Sequence, residues 1–426
     1  MLRIPAVRGA RRCALALGLA LALGAEAARA ATITIVNADG PGQGFNDPAP
    51  VAPVGGNSGT TLGEQRLIVF RTAAGIWAGI LPSPVEIRVQ ASFHPMTPCG
   101  DRSGVLGGAG PIAVFRGFEG AVFDDTWYHK ALANKLAGRD LAPEQNDILA
   151  NFNSSVDTPT CLGPTSWYYG LDGNAGSDLN LLTVVLHELG HGLGFSTLVT
   201  LSSGKLLDDL PDAYSHFILD LGLGKHWSEM TDAERLASAA RTGQLVWDGR
   251  AVTARAPSVL RPLATDPSRL TGADASGRVL LYAPNPVETG SSISHWDVSA
   301  EPDLLMEPFV SSDVTADVDL TPELFRDIGW FVGQPAIRLG KAFPNPFGPS
   351  TTVPYELEVG GTVDLSVYGL DGRLVKHLFR GQLAAGPGRE SWDGTDERGQ
   401  RMRQGVYFCR LRLGPHAEAR RIVLVE

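Results

Sequence analysis

His187, Glu188 and His191, in the run HELGH, are the residues of this chain whose types and spacing are best suited to chemistry. Positions four apart on an α-helix share a face, so both imidazoles reach one cation. Glu188 then stands at the rim of the same site, placed to take a proton from water. A zinc ion in such a site lowers the pKa of bound water to about 7 and polarises a carbonyl. The chemistry indicated is metal-assisted hydrolysis. With nine histidines in 426 residues, the pattern arises by chance in roughly one chain in a hundred. The run 179–194 around it is otherwise apolar, and burying two histidines and a glutamate without partners is costly.

A catalytic zinc takes three protein ligands and keeps one position for water. The third ligand must come from elsewhere in the chain. The remaining histidines after residue 30 are His94, His129, His216, His226, His295, His377 and His416. Glu234, in a helical stretch after Thr231, would instead complete a two-histidine, one-glutamate set. His216 and His226 are further rivals. His295 stands out for its setting, SHWD, followed closely by LLMEP.

The segments HELGHGLGFS, SHWD, LLMEP and DLTPELFRDIGW together resemble the leishmanolysin-like branch of the metzincin metallopeptidases. Compact metzincins carry H-E-x-x-H-x-x-G-x-x-H; here Gly194 is in register, but Thr197 occupies the last position. In the leishmanolysin-like branch a long insertion precedes the third zinc histidine, and a methionine turn follows it. The resemblance spans roughly residues 31–330. It implies His187, His191 and His295 as zinc ligands, Glu188 as general base and Met306 as the Met-turn residue beneath the metal. Leu106, Gly107, Gly108 and Ala109 resemble the edge strand on which metzincins lay an extended substrate, a mode that uses backbone hydrogen bonds and tolerates small residues. The implied activity is that of a secreted zinc endopeptidase acting on proteins or peptides. The insertion, 195–294, matches no leishmanolysin sequence and is expected to form a mostly helical subdomain beside the cleft. Leishmanolysin's dense disulfide set is also absent, so substrate preference does not carry over. The other functional class is a non-catalytic adhesin or binding module on the same scaffold. The presence of all four metal-site side chains favours the enzyme.

These residues need elements to hold them. Ile33 and Ile35 alternate with Thr, giving a short strand. Thr61-x-x-Glu64 has the form of a capping box, and Leu67, Phe70, Ala74, Trp77 and Leu81 behind it give an amphipathic helix that Pro82 and Pro84 end. Residues 85–93 alternate strictly, which predicts a half-buried strand. Residues 104–115 predict one or two strands with a glycine break, and a helix is expected near 127–138. The HELGH helix has Ser177 or Asp178 as its expected N-cap and Gly194 as its stop. The fold class is α+β: a metzincin-like catalytic domain with a mixed twisted sheet, an active-site helix and a Met-turn, over 31–330.

Residues 331–340 read as a linker. Residues 341–426 are short alternating segments separated by Gly, Asp and Pro, which predicts a small antiparallel sandwich. FPNPFGPSTTVPYEL, SVYGLDGRLVKHL, SWDGTDERGQ and QGVYFCRLRLG resemble the Ig-like domain shared by flagellar hook-capping proteins and type IX secretion sorting modules. That resemblance implies sorting, contact with secretion machinery, or cell-surface attachment.

Arg3, Arg8, Arg11 and Arg12 precede the apolar run 13–24, and Ala28-Arg29-Ala30 follows: the order of a secretory signal over residues 1–30. Export permits a disulfide, and Cys99 and Cys161, each in a turn-like context, are expected to pair. Cys409 is expected as a buried free thiol. The formal net charge is −10, which argues against nucleic acid and anionic lipid as partners. Asp313, Asp317 and Asp319 read as a solvated acidic loop, with Ca²⁺ as the alternative; Asp172 and Asp178 are in the same position. Hydrophobic residues are 43% of the chain, ample for a core, which excludes a disordered chain.

Overall fold

Thr61 opens the first helix with its side chain and backbone both engaged. Its hydroxyl accepts from the Glu64 N–H at 3.2 Å, and its own N–H donates to the Glu64 carboxylate at 3.1 Å. The computed structural model containing this helix describes residues 30–309, 317–332, 337–357, 361–370, 372–384, 386–413 and 416–425. Residues 1–29 of the expected signal, and Asp313, lie outside them. The chain divides into two units at Trp330/Phe331.

The first unit runs β1 (Ile33–Asn37), α1 (Leu62–Ile80), β2 (Ile87–His94), β3 (Gly107–Pro111), β4 (Val114–Phe115), β5 (Tyr128–His129), α2 (Lys130–Ala137), β6 (Ile148–Asn153), β7 (Trp167–Tyr168), β8 (Leu179–Asn180) and α3 (Leu181–Leu193). It continues with β9 (Ile218–Asp220), β10 (Lys225–His226), α4 (Asp232–Ser238), β11 (Leu245–Trp247), α5 (Arg250–Arg255), β12 (Pro262–Leu263), β13 (Asp266–Leu270) and α6 (Thr321–Ile328). The architecture is mixed α+β. The main sheet has the order β1-β2-β6-β3. β1, β2 and β6 are parallel, and β3 runs antiparallel on the edge.

The core lies between this sheet and helices α1 and α3. β2 turns Ile87, Val89, Ala91 and Phe93 inward, as its alternation predicts. α1 buries Val69, Phe70, Ala73, Ala74 and Trp77, while Leu67 is only half-buried. The buried stripe therefore sits slightly to one side of the predicted one. It includes Arg66, whose guanidinium pairs with Asp157 at 3.0 Å. Phe70 meets Phe152 of β6 edge-on at 4.7 Å. The Trp77 indole N–H donates to the Leu186 carbonyl at 3.1 Å, tying α1 to α3.

Two expectations need correction here. The α3 N-cap is Asn180, not Ser177 or Asp178: its side chain accepts from the N–H groups of Leu182 and Thr183. The preceding residues are held instead in the β7–β8 pairing, which delays the helix start. The 195–294 segment is not mostly helical. It holds two short α-helices, α4 and α5, and three single-turn 3-10 helices, beside the three-stranded sheet β10-β9-β11 and the hairpin β12-β13.

The second unit contains β14 (Ile337–Leu339), β15 (Thr351–Leu357), β16 (Gly361–Gly369), β17 (Leu374–Leu383), β18 (Gly386–Trp392), β19 (Gly405–Leu413) and β20 (His416–Leu424). They form two sheets, β14-β15-β18 and β17-β16-β19-β20. Their inward side chains, Val353, Leu365, Val367, Trp392, Leu411 and Ile422 among them, make one core. Cys409 is a buried free thiol within it. The expected linker is shorter than its composition suggests, because Ile337–Leu339 pairs with β15. No helix among the described residues is long and apolar enough to cross a membrane.

Candidate metal centre

α3 carries His187 and His191 on one face, and two glycines let that helix settle into the core. A Cβ on Gly190 would stand 2.7 Å from the Met306 sulfur, and one on Gly192 would stand 2.5 Å from Ile148 Cγ2. Gly194 ends the helix with φ +126°, a backbone angle that disfavours other residues. The chain turns there and brings the Phe195 carbonyl back over His191.

His295 arrives from 104 residues further along the chain. The segment that delivers it is pinned by backbone hydrogen bonds. Tyr282 N–H donates to the His295 carbonyl at 3.0 Å, and Trp296 N–H donates to the Met306 carbonyl at 2.9 Å. Thr197, the residue at the last position of the compact motif, is used otherwise. Its hydroxyl donates to the buried Asp212 at 2.9 Å, anchoring the start of the 195–294 segment.

The three imidazoles converge through Nε2. The separations are 3.0 Å for His187–His191 and 3.2 Å for both His191–His295 and His187–His295. Each ring's Nδ1–H donates to a backbone carbonyl: His187 to Leu305 at 2.7 Å, His191 to Phe195 at 2.8 Å and His295 to Ser291 at 2.6 Å. A carbonyl only accepts, so Nδ1 carries the proton and each Nε2 presents a lone pair. Three lone pairs at this distance repel unless a cation lies among them. Zinc–nitrogen bonds of about 2.0–2.1 Å at tetrahedral angles space the donors at about 3.3 Å, which this set matches. Among the described residues, this is the group of side chains that converges as metal ligands do. It suits zinc without identifying the ion.

Burial acts in the same direction. It pushes His187 down to about 4 and His191 to about 3, and His295 well below the ordinary value; the neighbouring imidazoles add to the shift of the last two. All three are therefore neutral near pH 7, as a metal ligand must be. Glu188 is also buried, which raises its carboxyl to about 7 against the lowering effect of the Ala109 N–H. That N–H donates to Glu188 Oε2 at 2.9 Å.

These groups open on a cleft of about 750 Å³. Leu106, Gly107, Gly108 and Ala109 form one wall, with Leu106 just before β3, and Glu307, Pro308 and Phe309 stand on another. Cys99 and Cys161 are joined, bracing the loop that leads into β3. Met306 is fully buried under α3. Trp296, the residue after His295 in SHWD, is buried away from the cleft against Phe195, with ring centroids 5.0 Å apart.

The rival ligands are engaged elsewhere. Glu234 caps α4 with Thr231 and pairs with Lys225 at 2.7 Å. His216 bonds Thr126 and His226 bonds Asp248. Asp317 is exposed, Asp319 accepts backbone N–H groups from Leu305 and Leu320, Asp172 accepts from the Tyr168 hydroxyl, and Asp178 accepts from Ser166 N–H. The groups missing from the sequence reading are the carbonyls of Leu305, Phe195 and Ser291 and the N–H of Ala109 as a partner of Glu188. Every residue carries a backbone carbonyl and all but proline carry an N–H, so no sequence signal marks them. Gly192 was within reach, since a second glycine in an apolar helix points to close packing.

The chain matches no protein-family model and no curated protein. Weak likenesses exist among solved structures. Dimeric latent PorU from Porphyromonas gingivalis shares 22% identity at a TM-score of 0.18, over 21% of this chain and 9% of that one. PorZ, a surface component of the type-IX secretion system of the same organism, shares 19% at 0.16, over 20% and 11%. FlgD from Xanthomonas campestris, a hook-capping protein, shares 23% at 0.16, over 22% and 68%. Likenesses this weak carry no argument about function.

Proposed function

We propose that this chain is a secreted zinc-dependent endopeptidase of the leishmanolysin-like metzincin type. The observation that carries the reading is the convergence of three Nε2 lone pairs within 3.2 Å of one another on a cleft that also holds the Glu188 carboxylate. His187, His191 and His295 would hold the ion. Bound zinc supplies Lewis acidity, which acidifies water and polarises a carbonyl. Glu188 takes the proton of the attacking water and returns it to the leaving amine. The outward backbone groups of β3 hold an extended peptide alongside. In this reading the second unit is an Ig-like module for sorting or surface attachment.

Hydrolysis of unfolded casein by the purified protein tests the reading. Activity is expected to vanish with a chelator and return with zinc. Glu188→Gln is expected to retain the metal and lose at least about 10²-fold in turnover. Unchanged turnover in that variant rules out Glu188 as the base. A metal-loaded wild type that cleaves nothing favours the binding-module alternative.

A further inference from the structure

The ladder between β3 and β6 decides which backbone groups of β3 are committed to the sheet. Asn153 N–H donates to the Leu106 carbonyl and Ile112 N–H to the Asp147 carbonyl, both at 2.9 Å. Gly108 lies opposite Asn151 and Gly110 opposite Leu149. In an antiparallel ladder the bonded residues alternate with residues whose N–H and C=O point away from the partner. Residues 106, 108, 110 and 112 thus face β6. Gly107, Ala109 and Pro111 turn their backbone groups outward, and β3 is an edge strand, so among the described residues no further strand covers them.

One of these outward groups is already in use. The Ala109 N–H donates to Glu188 Oε2 at 2.9 Å, across 79 residues of sequence. Glu188 has several rotatable bonds, and on a helix surface it would sample several rotamers. A fixed donor on a strand held by its ladder removes that freedom. Pro111, at the next outward position, has no N–H, which suits an edge strand.

We propose that the backbone N–H of Ala109 is the positioning group for the Glu188 carboxylate, so that β3 orients the base as well as walling the cleft. The proposal rests on the reading of Glu188 as the base. Oε2 is committed to the strand, which leaves Oε1 for the proton in transit. The same bond removes the Ala109 N–H from substrate pairing. A peptide laid along β3 then has the N–H and C=O of Gly107 and the C=O groups of Ala109 and Pro111 as its partners.

Two measurements on the full mature chain, with zinc content checked in each variant, test this. The first is hydrogen–deuterium exchange at residue resolution. In Glu188→Ala the Ala109 amide is expected to exchange at least about tenfold faster than in wild type, while Gly108 and Gly110, bonded in the ladder, keep their rates. Equal exchange at Ala109 in both proteins overturns the proposal without reference to activity. The second is Ala109→Pro, which removes the outward donor and leaves the β3–β6 bonds in place. It is expected to lower kcat at least about tenfold with KM within about twofold. A raised KM with unchanged kcat assigns the N–H to the substrate and overturns the proposal. Full turnover in Glu188→Gln counts against the peptidase reading instead, and the exchange result stands apart from it. If Ala109→Pro does not fold, the exchange measurement alone decides.

Discussion

Each imidazole of the centre is held at its far nitrogen by a carbonyl from a different place: Leu305 in the turn, Phe195 after α3 and Ser291 before the third histidine. The site is thus preorganised by backbone, and the loss of one ring leaves two lone pairs without the third. His295→Ala is expected to lose stoichiometric zinc, while Glu234→Ala retains it, with metal analysis after dialysis as the measurement. The reason is local. Glu234 bonds Lys225 and the Thr231 backbone, which hold its carboxyl down to about 2, so it stays an occupied anion on the surface of α4. Retention of zinc by His295→Ala together with loss in Glu234→Ala would reverse the ligand assignment. The His187–His191 pair was legible because helical spacing is a local property. His295 was legible only through its resemblance, since composition says nothing about which distant loop returns.

At the scale of elements, α3 is set by what its glycines allow. A methyl at position 192 meets Ile148 Cγ2, which hangs from a branched carbon of a central strand, where χ1 is restricted. A methyl at position 190 meets the sulfur of Met306, the far end of an unbranched side chain that adapts more readily. Gly192→Ala is therefore expected to cost about 1–3 kcal/mol of stability, and Gly190→Ala less. Adding Ile148→Ala is expected to recover part of the Gly192→Ala loss, a non-additivity that thermal melting of the double variant reads. Equal costs at the two glycines would remove this account of how α3 is seated. Patterns carried within one element, such as the Thr61 capping box and the alternation of β2, were legible. The start of α3 was not. Ser177 and Asp178 have the chemistry of a cap, but the β7–β8 pairing claims the chain up to Asn180, a contact between segments that are separate in sequence. The 195–294 segment failed for the same reason. Its strands β9, β10 and β11 are two or three residues long, too short to show a period.

At the scale of the whole molecule, the first unit carries a stability cost that depends on pH, and Glu307 makes it measurable. Its carboxyl is pushed up to about 8, first by burial and then by the nearby Asp303, Asp319 and Asp297, against the Leu304 N–H that donates to it at 2.9 Å. No cation pairs with it among the described residues. Below pH 4.5, the ordinary value for Glu, the folded and unfolded chains both hold the proton, and the group contributes no slope. Above that, the unfolded chain releases its proton while the folded chain keeps it. The folded state then binds more protons, and stability falls as pH rises, until the folded carboxyl has also ionised above about 8. Glu307→Gln keeps an oxygen for the Leu304 N–H and has no charge to bury. Its melting temperature is therefore expected to gain on wild type progressively between pH 5 and about 8, and to hold a constant lead beyond that. Scanning calorimetry of the full chain, following the transition of the first unit, gives the comparison. Parallel curves for the two proteins over that range would mean that the Glu307 carboxyl ionises normally and that the acidic wall of the cleft is solvated.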